Sequence, residues 1–199
     1  MSATILLVRH AAHVDLGRRL SGRAGGVPLT ERGRHQAAAL GARLAPLGVT
    51  RVECSPLERT RDTAAAIALA CGLPAPTEAE DLLEIDMGKW TGRAFDDFGD
   101  DPVWRAWNTR RSSVRIPGGE TMAEAQDRIV AHMTWVAAHH DAGTVVMVSH
   151  SDIIRAAVAH VLDLPLDHLL RFDIDPASVT GVAVANWGAR LLWLNETGG

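Results

Sequence analysis

Three things are scarce in this 199-residue chain, and each scarcity closes off a class of protein. Cysteine occurs only at Cys54 and Cys71, too seldom and at the wrong spacing for a disulfide framework or a zinc site, so a reducing cytoplasm is the expected setting. Positive charge is not in excess. With 20 Lys and Arg against 24 Asp and Glu, the net charge is -4 and the pI about 6.1, so neither nucleic acid nor an anionic membrane is an expected partner. Long apolar runs are missing too. None approaches the ~18 residues of a membrane span, and no charged segment of the signal-peptide kind precedes the apolar start. Internal repeats, low-complexity tracts and interdomain linkers are absent, as are GxSxG and P-loop motifs. What remains, 47% hydrophobic and 22% charged residues, is ordinary for a globular protein of one domain large enough to bury its own core.

The chain alternates between buried-strand and amphipathic-helix patterns. Ile5 to Val8 is an unbroken apolar run, the signature of a strand covered on both faces, and it stops abruptly at Arg9 and His10. A glycine-rich connection follows, and Thr30 is placed to cap a helix with Ala37, Leu40 and Leu44 on one face. Val49 to Cys54 is a second strand. Ser55-Pro56-Leu57-Glu58 then has the form of a capping box opening a helix that runs to about Ala70. Residues 75 to 119 are irregular, apart from a short helix around Trp104 and Trp107. Thr121 and Glu124 form another capping box ahead of a long helix, and TVVMVS (144 to 149) is another buried strand, followed by a helix. The segment from Leu169 to Leu194 reads as strands with a hairpin turning at Asn186-Trp187-Gly188. Such alternation predicts one α/β domain on a mostly parallel sheet.

Three predicted strand ends carry reactive or charged groups: Arg9-His10, Ser55 leading into Arg59 and Arg61, and Ser149-His150-Ser151. Neighbouring parallel strands lie about 5 Å apart, so such ends can converge on one crevice at the carboxyl edge of the sheet. Histidines and arginine forks around a helix N-terminus suit a tetrahedral dianion, and an unprotonated imidazole can attack phosphorus. Metal ligation by His10 and His13 is the rival use; the neighbouring arginines, which would repel a cation, argue against it.

Five stretches in order give these residues a context: LVRHA (7 to 11), PLTERGRHQA (28 to 37), SPLERTRDTA (55 to 64), LLEIDMGKWTG (82 to 92) and VSHSDIIRA (148 to 156). Together they resemble the motifs of the histidine phosphatase superfamily, also called the phosphoglycerate mutase-like family, from about Thr4 through Arg155. The resemblance implies a single three-layer α/β/α domain over residues 1 to 199, with a mostly parallel mixed sheet and residues 94 to 119 as a substrate-covering insertion. It implies a phosphomonoesterase acting on a small phosphorylated metabolite, with no metal and no cofactor. His10 becomes the phosphorylated nucleophile, Arg9 and Arg59 the grip on the phosphoryl oxygens, His150 the second histidine of that pocket and Glu84 the proton donor. Ser21, Gly22 and Ser151 fall at substrate-binding positions. A phosphomutase and a non-catalytic phosphate-binding module are the alternatives, and the sequence carries nothing on oligomeric state.

Several positions depart from the family pattern. Ala11 and Ser151 stand where glycines are usual, His13 and Val14 replace polar or acidic residues, and Asp15 is the nearest counterpart of a family asparagine. An alanine at a position needing positive φ would be strained; one that only approaches the ligand closely would not. Arg61 lies about 200° round its helix from Arg59 and is expected to face solvent or a structural partner. His35, His132, His139, His140, His160 and His168 are expected at the surface or half buried. Trp90 is expected to pack under the Glu84 loop, and Trp104 and Trp107 to form a core stripe sooner than a lid.

Overall fold

The computed structural model describes residues 2 to 140 and 143 to 198. Its sheet has six strands: β1 (Ser2–Arg9), β2 (Val49–Cys54), β3 (Thr77–Glu78), β4 (Thr144–Ser149), β5 (Val179–Ala185) and β6 (Gly188–Glu196). They lie in the order β3-β2-β4-β1-β5-β6. The β3/β2, β2/β4 and β4/β1 pairs are parallel, whereas β5 and β6 add antiparallel to β1 and to each other. The sheet is therefore mixed but mostly parallel.

Alternation along β1 explains the layers. Leu6 and Val8 point into a cluster with Leu40 and Leu44 of α1 (Glu31–Leu44) and Ala64 and Ile67 of α2 (Glu58–Ala70). Ile5 and Leu7 point the other way, into a larger cluster with Ile129, Met133 and Val136 of α4 (Met122–His139) and Ile153, Ile154 and Ala157 of α5 (Ser151–Val161). A strand apolar on both faces needs helices on both faces, and this one has them. The short α3 (Pro102–Thr109) lies outside this sandwich in sequence order, between β3 and α4.

Thr30 caps α1 by accepting from the Gly33 amide at 2.9 Å, and Thr121 and Glu124 form the reciprocal box at the start of α4. The box at Ser55 does not form. Helix α2 begins at Glu58 after Leu57, without a side-chain cap. Ser55 is still the last buried extension of β2, with its amide on the Val148 carbonyl at 3.0 Å, and its hydroxyl lies 3.0 Å from Nε2 of His150. The same hydroxyl also accepts from the Leu57 amide at 3.4 Å, one residue short of the helix it was expected to cap. Nor does the segment from Leu169 start with a strand, since residues Leu166–Arg171 form a 3-10 turn; the hairpin of β5 and β6 follows as expected.

Register brings the carboxyl ends together. Arg9 stands opposite Ser149, and Cys54 opposite Val148. The start of α1 presses on the loop that leaves β1: the Thr30 amide donates to the Ala12 carbonyl at 2.9 Å, and a Cβ on Gly33 would overlap that same oxygen. Gly33→Ala is accordingly expected to cost about 1–3 kcal/mol by overpacking, and to displace residues 11 to 13. A lowered urea midpoint with weakened phosphate binding is the result to look for.

Candidate active site

A cleft of about 420 Å³ opens at these strand ends, lined among others by Arg9, His10, His13, Arg59, Glu84 and Asp152. A larger groove, about 750 Å³, runs between α1 and residues 175 to 177 but contains none of the four groups Arg9, His10, Arg59 and Glu84. Size and chemistry part company here, and chemistry decides.

His10 follows β1 and is tied to the sheet by its amide on the Ser149 carbonyl at 3.0 Å. Its Nδ1 lies 2.9 Å from the Ala11 carbonyl oxygen. A carbonyl only accepts, so Nδ1 carries the proton and Nε2 keeps its lone pair. Burial, with Arg59 and Arg9 adding to it, holds the imidazole well below its usual pKa and therefore neutral. Ala11 donates its amide to Thr63 Oγ1 at 3.0 Å, and its methyl packs with Leu29 and Ala37. Its φ is not positive, so the alanine is accommodated without backbone strain.

Arg59 sits in the first turn of α2 and is only 2% exposed. One terminal nitrogen donates to the Gly22 carbonyl at 2.7 Å, while Nε and Nη1, both buried, have no protein partner. Arg9 likewise spends Nη1 on the Ile174 carbonyl at 2.6 Å and leaves Nε buried without one. Native structures seldom leave buried N–H groups unsatisfied, so these guanidinium edges are preorganised for an anion's oxygens.

His150 is fully buried and does not line the cleft. Its Nδ1 is 3.3 Å from Arg59 Nη2, which can only donate, so the ring proton is on Nε2 and goes to Ser55. In this arrangement His150 meets the cleft through Arg59, its ring 5.2 Å from that of His10. Ser151, the first residue of α5, does line the cleft, as do Ser21 and Gly22. Ser21 donates to Asp15 at 3.2 Å, and Gly22 adopts a positive φ with Met87 and Thr91 crowding where a Cβ would be.

Glu84 lies in the cleft wall with its pKa raised to about 7, chiefly by burial and then by the negative charge of Asp152. The Ile85 amide, at 3.0 Å from Oε1, and the charges of Arg59 and Arg9 oppose the rise. The loop that carries it is clamped from several sides. Ser149 Oγ donates to the Leu82 carbonyl at 2.7 Å, while Arg23 and Arg128 donate to the Glu84 carbonyl at 2.8 and 3.2 Å. Glu120 joins the clamp, accepting from Arg23 at 2.9 Å and from the Asp86 amide at 2.8 Å.

Sequence reasoning missed Arg23, Arg128 and Glu120, which are scattered over a hundred residues without a local pattern. It also missed Arg111, Asp152 and Arg155 at the cleft's far side, where Arg111 pairs with Asp152 at 2.9 Å and Arg155 approaches it at 3.6 Å. Asp152 and Arg155 fall within the VSHSDIIRA stretch, but their meeting with Arg111 is a contact over some forty residues that a linear motif does not record. Arg61 is outside the site and pairs with Glu78 at 3.6 Å. Trp107 is fully buried in the core, and both it and Trp104 border the cleft, with Trp90 packed edge-on against both.

These features define a site for phosphoryl chemistry on an α/β sheet: a neutral imidazole with a free lone pair, two guanidiniums with open donors, and a carboxyl group protonated near neutrality. Comparison with known proteins agrees. The family profile described as histidine phosphatase superfamily (branch 1) matches residues 5–197, and the chain belongs to that family. It is an enzyme of the phosphohydrolase kind, a family acting on small phosphorylated substrates. A protein of Salmonella newport described as a probable phosphoglycerate mutase, GpmB, is 32% identical over 98% of this chain and 92% of its own. Among solved structures, Bacillus stearothermophilus YhfR superposes with a TM-score of 0.92 at 26% identity, covering 98% of both chains. A mycobacterial glucosyl-3-phosphoglycerate phosphatase gives a TM-score of 0.85 at 25% identity, covering 99% of this chain and 100% of its own. No helix among the described residues is long and apolar enough to cross a membrane.

Proposed function

We propose that the protein hydrolyses a small phosphorylated metabolite through a phosphohistidine at His10. The observation that carries this reading is the pairing of a neutral His10, its Nε2 lone pair free, with the unpartnered buried N–H groups of Arg9 and Arg59. In the first step Nε2 attacks phosphorus, the N–P bond forms and the P–O bond to the leaving group breaks. Glu84 gives its proton to that oxygen. In the second step water attacks phosphorus, Glu84 takes a proton from it, and the N–P bond breaks to release orthophosphate. Arg9 and Arg59 stabilise charge spreading over the equatorial oxygens, and do so more in the transition state than in the bound ester. His150 and Ser55 hold Arg59 in place from beneath, while Ser21, Gly22 and Ser151 shape the phosphoryl pocket. Residues 94 to 119 serve as the cover, a reading supported by Phe95 and Trp104 being among the residues that line the cleft. Two free cysteines suit a cytoplasmic setting.

The likeness to GpmB favours a second reading, a phosphomutase, in which an alcohol on the same substrate accepts the phosphoryl group instead of water. A panel of phosphorylated metabolites, followed for both orthophosphate and positional isomers, separates the two. Orthophosphate as the main product supports hydrolysis; isomer as the main product supports the mutase, and affinity without either product leaves a binding module. Because arginines carry the electrophilic role, exhaustive chelation is expected to leave the rate within about twofold. A rate lost to chelator and restored by a divalent ion would overturn that assignment.

A further inference from the structure

The cleft contains a second histidine that the reading above does not use. His13 lies three residues beyond His10 and is pinned by its backbone: it bridges to Leu29, and the Val14 amide donates to the Pro28 carbonyl at 3.1 Å. The residue is only 7% exposed, lines the cleft beside Arg9 and Arg59, and its ring centroid is 5.0 Å from that of His10. Its Nδ1 is 3.2 Å from the Asp15 backbone nitrogen. A backbone N–H only donates, so Nδ1 is bare and the ring of a neutral His13 carries its proton on Nε2. Nε2 makes no hydrogen bond among the described residues. Burial, and then Arg59 and Arg9, lower the pKa to about 4, so the ring is neutral across the physiological range.

A neutral, fixed N–H donor among arginines is of little use to a cation and of direct use to an anion. Two imidazoles whose centroids are 5.0 Å apart can flank one phosphoryl group, one nitrogen about 3 Å from phosphorus and the other about 2.8 Å from an oxygen. Metal binding is disfavoured by the chemistry present. His10 spends Nδ1 on a carbonyl, and among the described residues no three His, Cys, Asp or Glu are grouped to hold an ion.

We propose that His13, through Nε2–H, is a phosphoryl-binding residue of this site, a third donor beside Arg9 and Arg59. The inference rests on the phosphoryl reading of the cleft but not on turnover. The phosphoryl group exposes three equatorial oxygens, and two arginines that each spend a terminal nitrogen on a backbone carbonyl leave room for a donor from the His13 side. The family pattern has a polar or acidic residue here, so this chain meets the phosphoryl group with an imidazole N–H at that position.

The test is calorimetric titration of the full chain with orthophosphate and with orthovanadate, a mimic of the five-coordinate transition state. His13→Phe keeps a ring without the donor; His13→Gln returns an amide N–H near the position of Nε2. His13→Phe is expected to weaken both ligands about 10- to 100-fold, vanadate more, with His13→Gln recovering most of the loss. If His13→Phe does not fold, 15N-histidine spectra of the wild type decide: orthophosphate should shift the protonated Nε2 resonance of His13 and leave its tautomer unchanged. Wild-type affinity in a folded His13→Phe, or an Nε2 resonance unmoved by saturating phosphate, would overturn the proposal. The two readings fail separately. Phosphate binding that depends on His13 in a protein forming no phosphohistidine would remove the hydrolase and keep the contact. Full turnover with unchanged vanadate affinity in His13→Phe would do the reverse.

Discussion

Replacing His10 by alanine is expected to eliminate the phosphoenzyme and to slow turnover on the order of 10⁶-fold, as loss of a covalent nucleophile does elsewhere. Neither of the two neighbouring histidines can substitute. His150 is buried beneath Arg59 with both ring nitrogens engaged, and His13 presents an N–H and not a lone pair. Binding should survive the change, because Arg9 and Arg59 hold their positions through Ile174 and Gly22 and not through His10. The measurement is a single turnover with 32P-labelled substrate, denatured in alkali, where a phosphoramidate persists, and then exposed to acid, where it hydrolyses. Label retained in alkali and lost in acid by the wild type, and never acquired by His10→Ala, is the expected result. A labelled His10→Ala would move the nucleophile elsewhere, and an active one would dismiss the covalent route.

How far the site could be read from the sequence depended on whether its residues follow one another along a strand end. Arg9-His10 and Ser149-His150 announce themselves because a buried strand stops there, and period and composition show where strands stop. Arg59 was legible as an arginine in the first turn of a helix that follows a strand. The supports of Glu84 were not. Arg23, Glu120 and Arg128 converge on one loop only after α4 docks, and charged residues in glycine-rich loops or on helix faces look the same in sequence whether or not they converge. Ser55 was misread for a related reason: local pattern favoured a cap, whereas its hydroxyl meets His150 from far along the chain and the helix starts at Glu58 without it. His132, expected at the surface or half buried, reaches Glu53 at 2.7 Å and Asp81 at 3.4 Å, tying α4 to β2 and to the approach of the Glu84 loop. Glu53 is 1% exposed inside an otherwise apolar layer, and nothing in its neighbours along the chain foretold its partner.

Glu84→Gln is expected to separate proton donation from phosphoryl grip. Glutamine matches the shape of the carboxylic acid and can still accept from the Ile85 amide, but it has no proton to give. General acid catalysis typically contributes 10²- to 10⁴-fold, so an alkyl phosphate, whose alkoxide leaves poorly, should phosphorylate His10 slower by about that factor. An aryl phosphate, whose phenolate leaves readily, should lose about tenfold or less in the same step. The pH profile gives the sign. A carboxyl group with its pKa raised to about 7 is protonated below that value, so the wild-type phosphorylation rate should be high in acid and fall as pH rises through about 7. That limb should be missing in Glu84→Gln, while burial, with Arg59 and Arg9 adding to it, moves the titration of His10 well below its ordinary value and away from that limb. Arg59→Ala should behave differently, slowing both esters alike, because it removes charge stabilisation common to both. Single-turnover phosphorylation by an alkyl and an aryl ester, across pH 5 to 9 in each variant, measures all of this. Equal losses for the two esters in Glu84→Gln, with the pH limb intact, would make Glu84 a structural residue and send the search for the proton donor to the 94 to 107 segment.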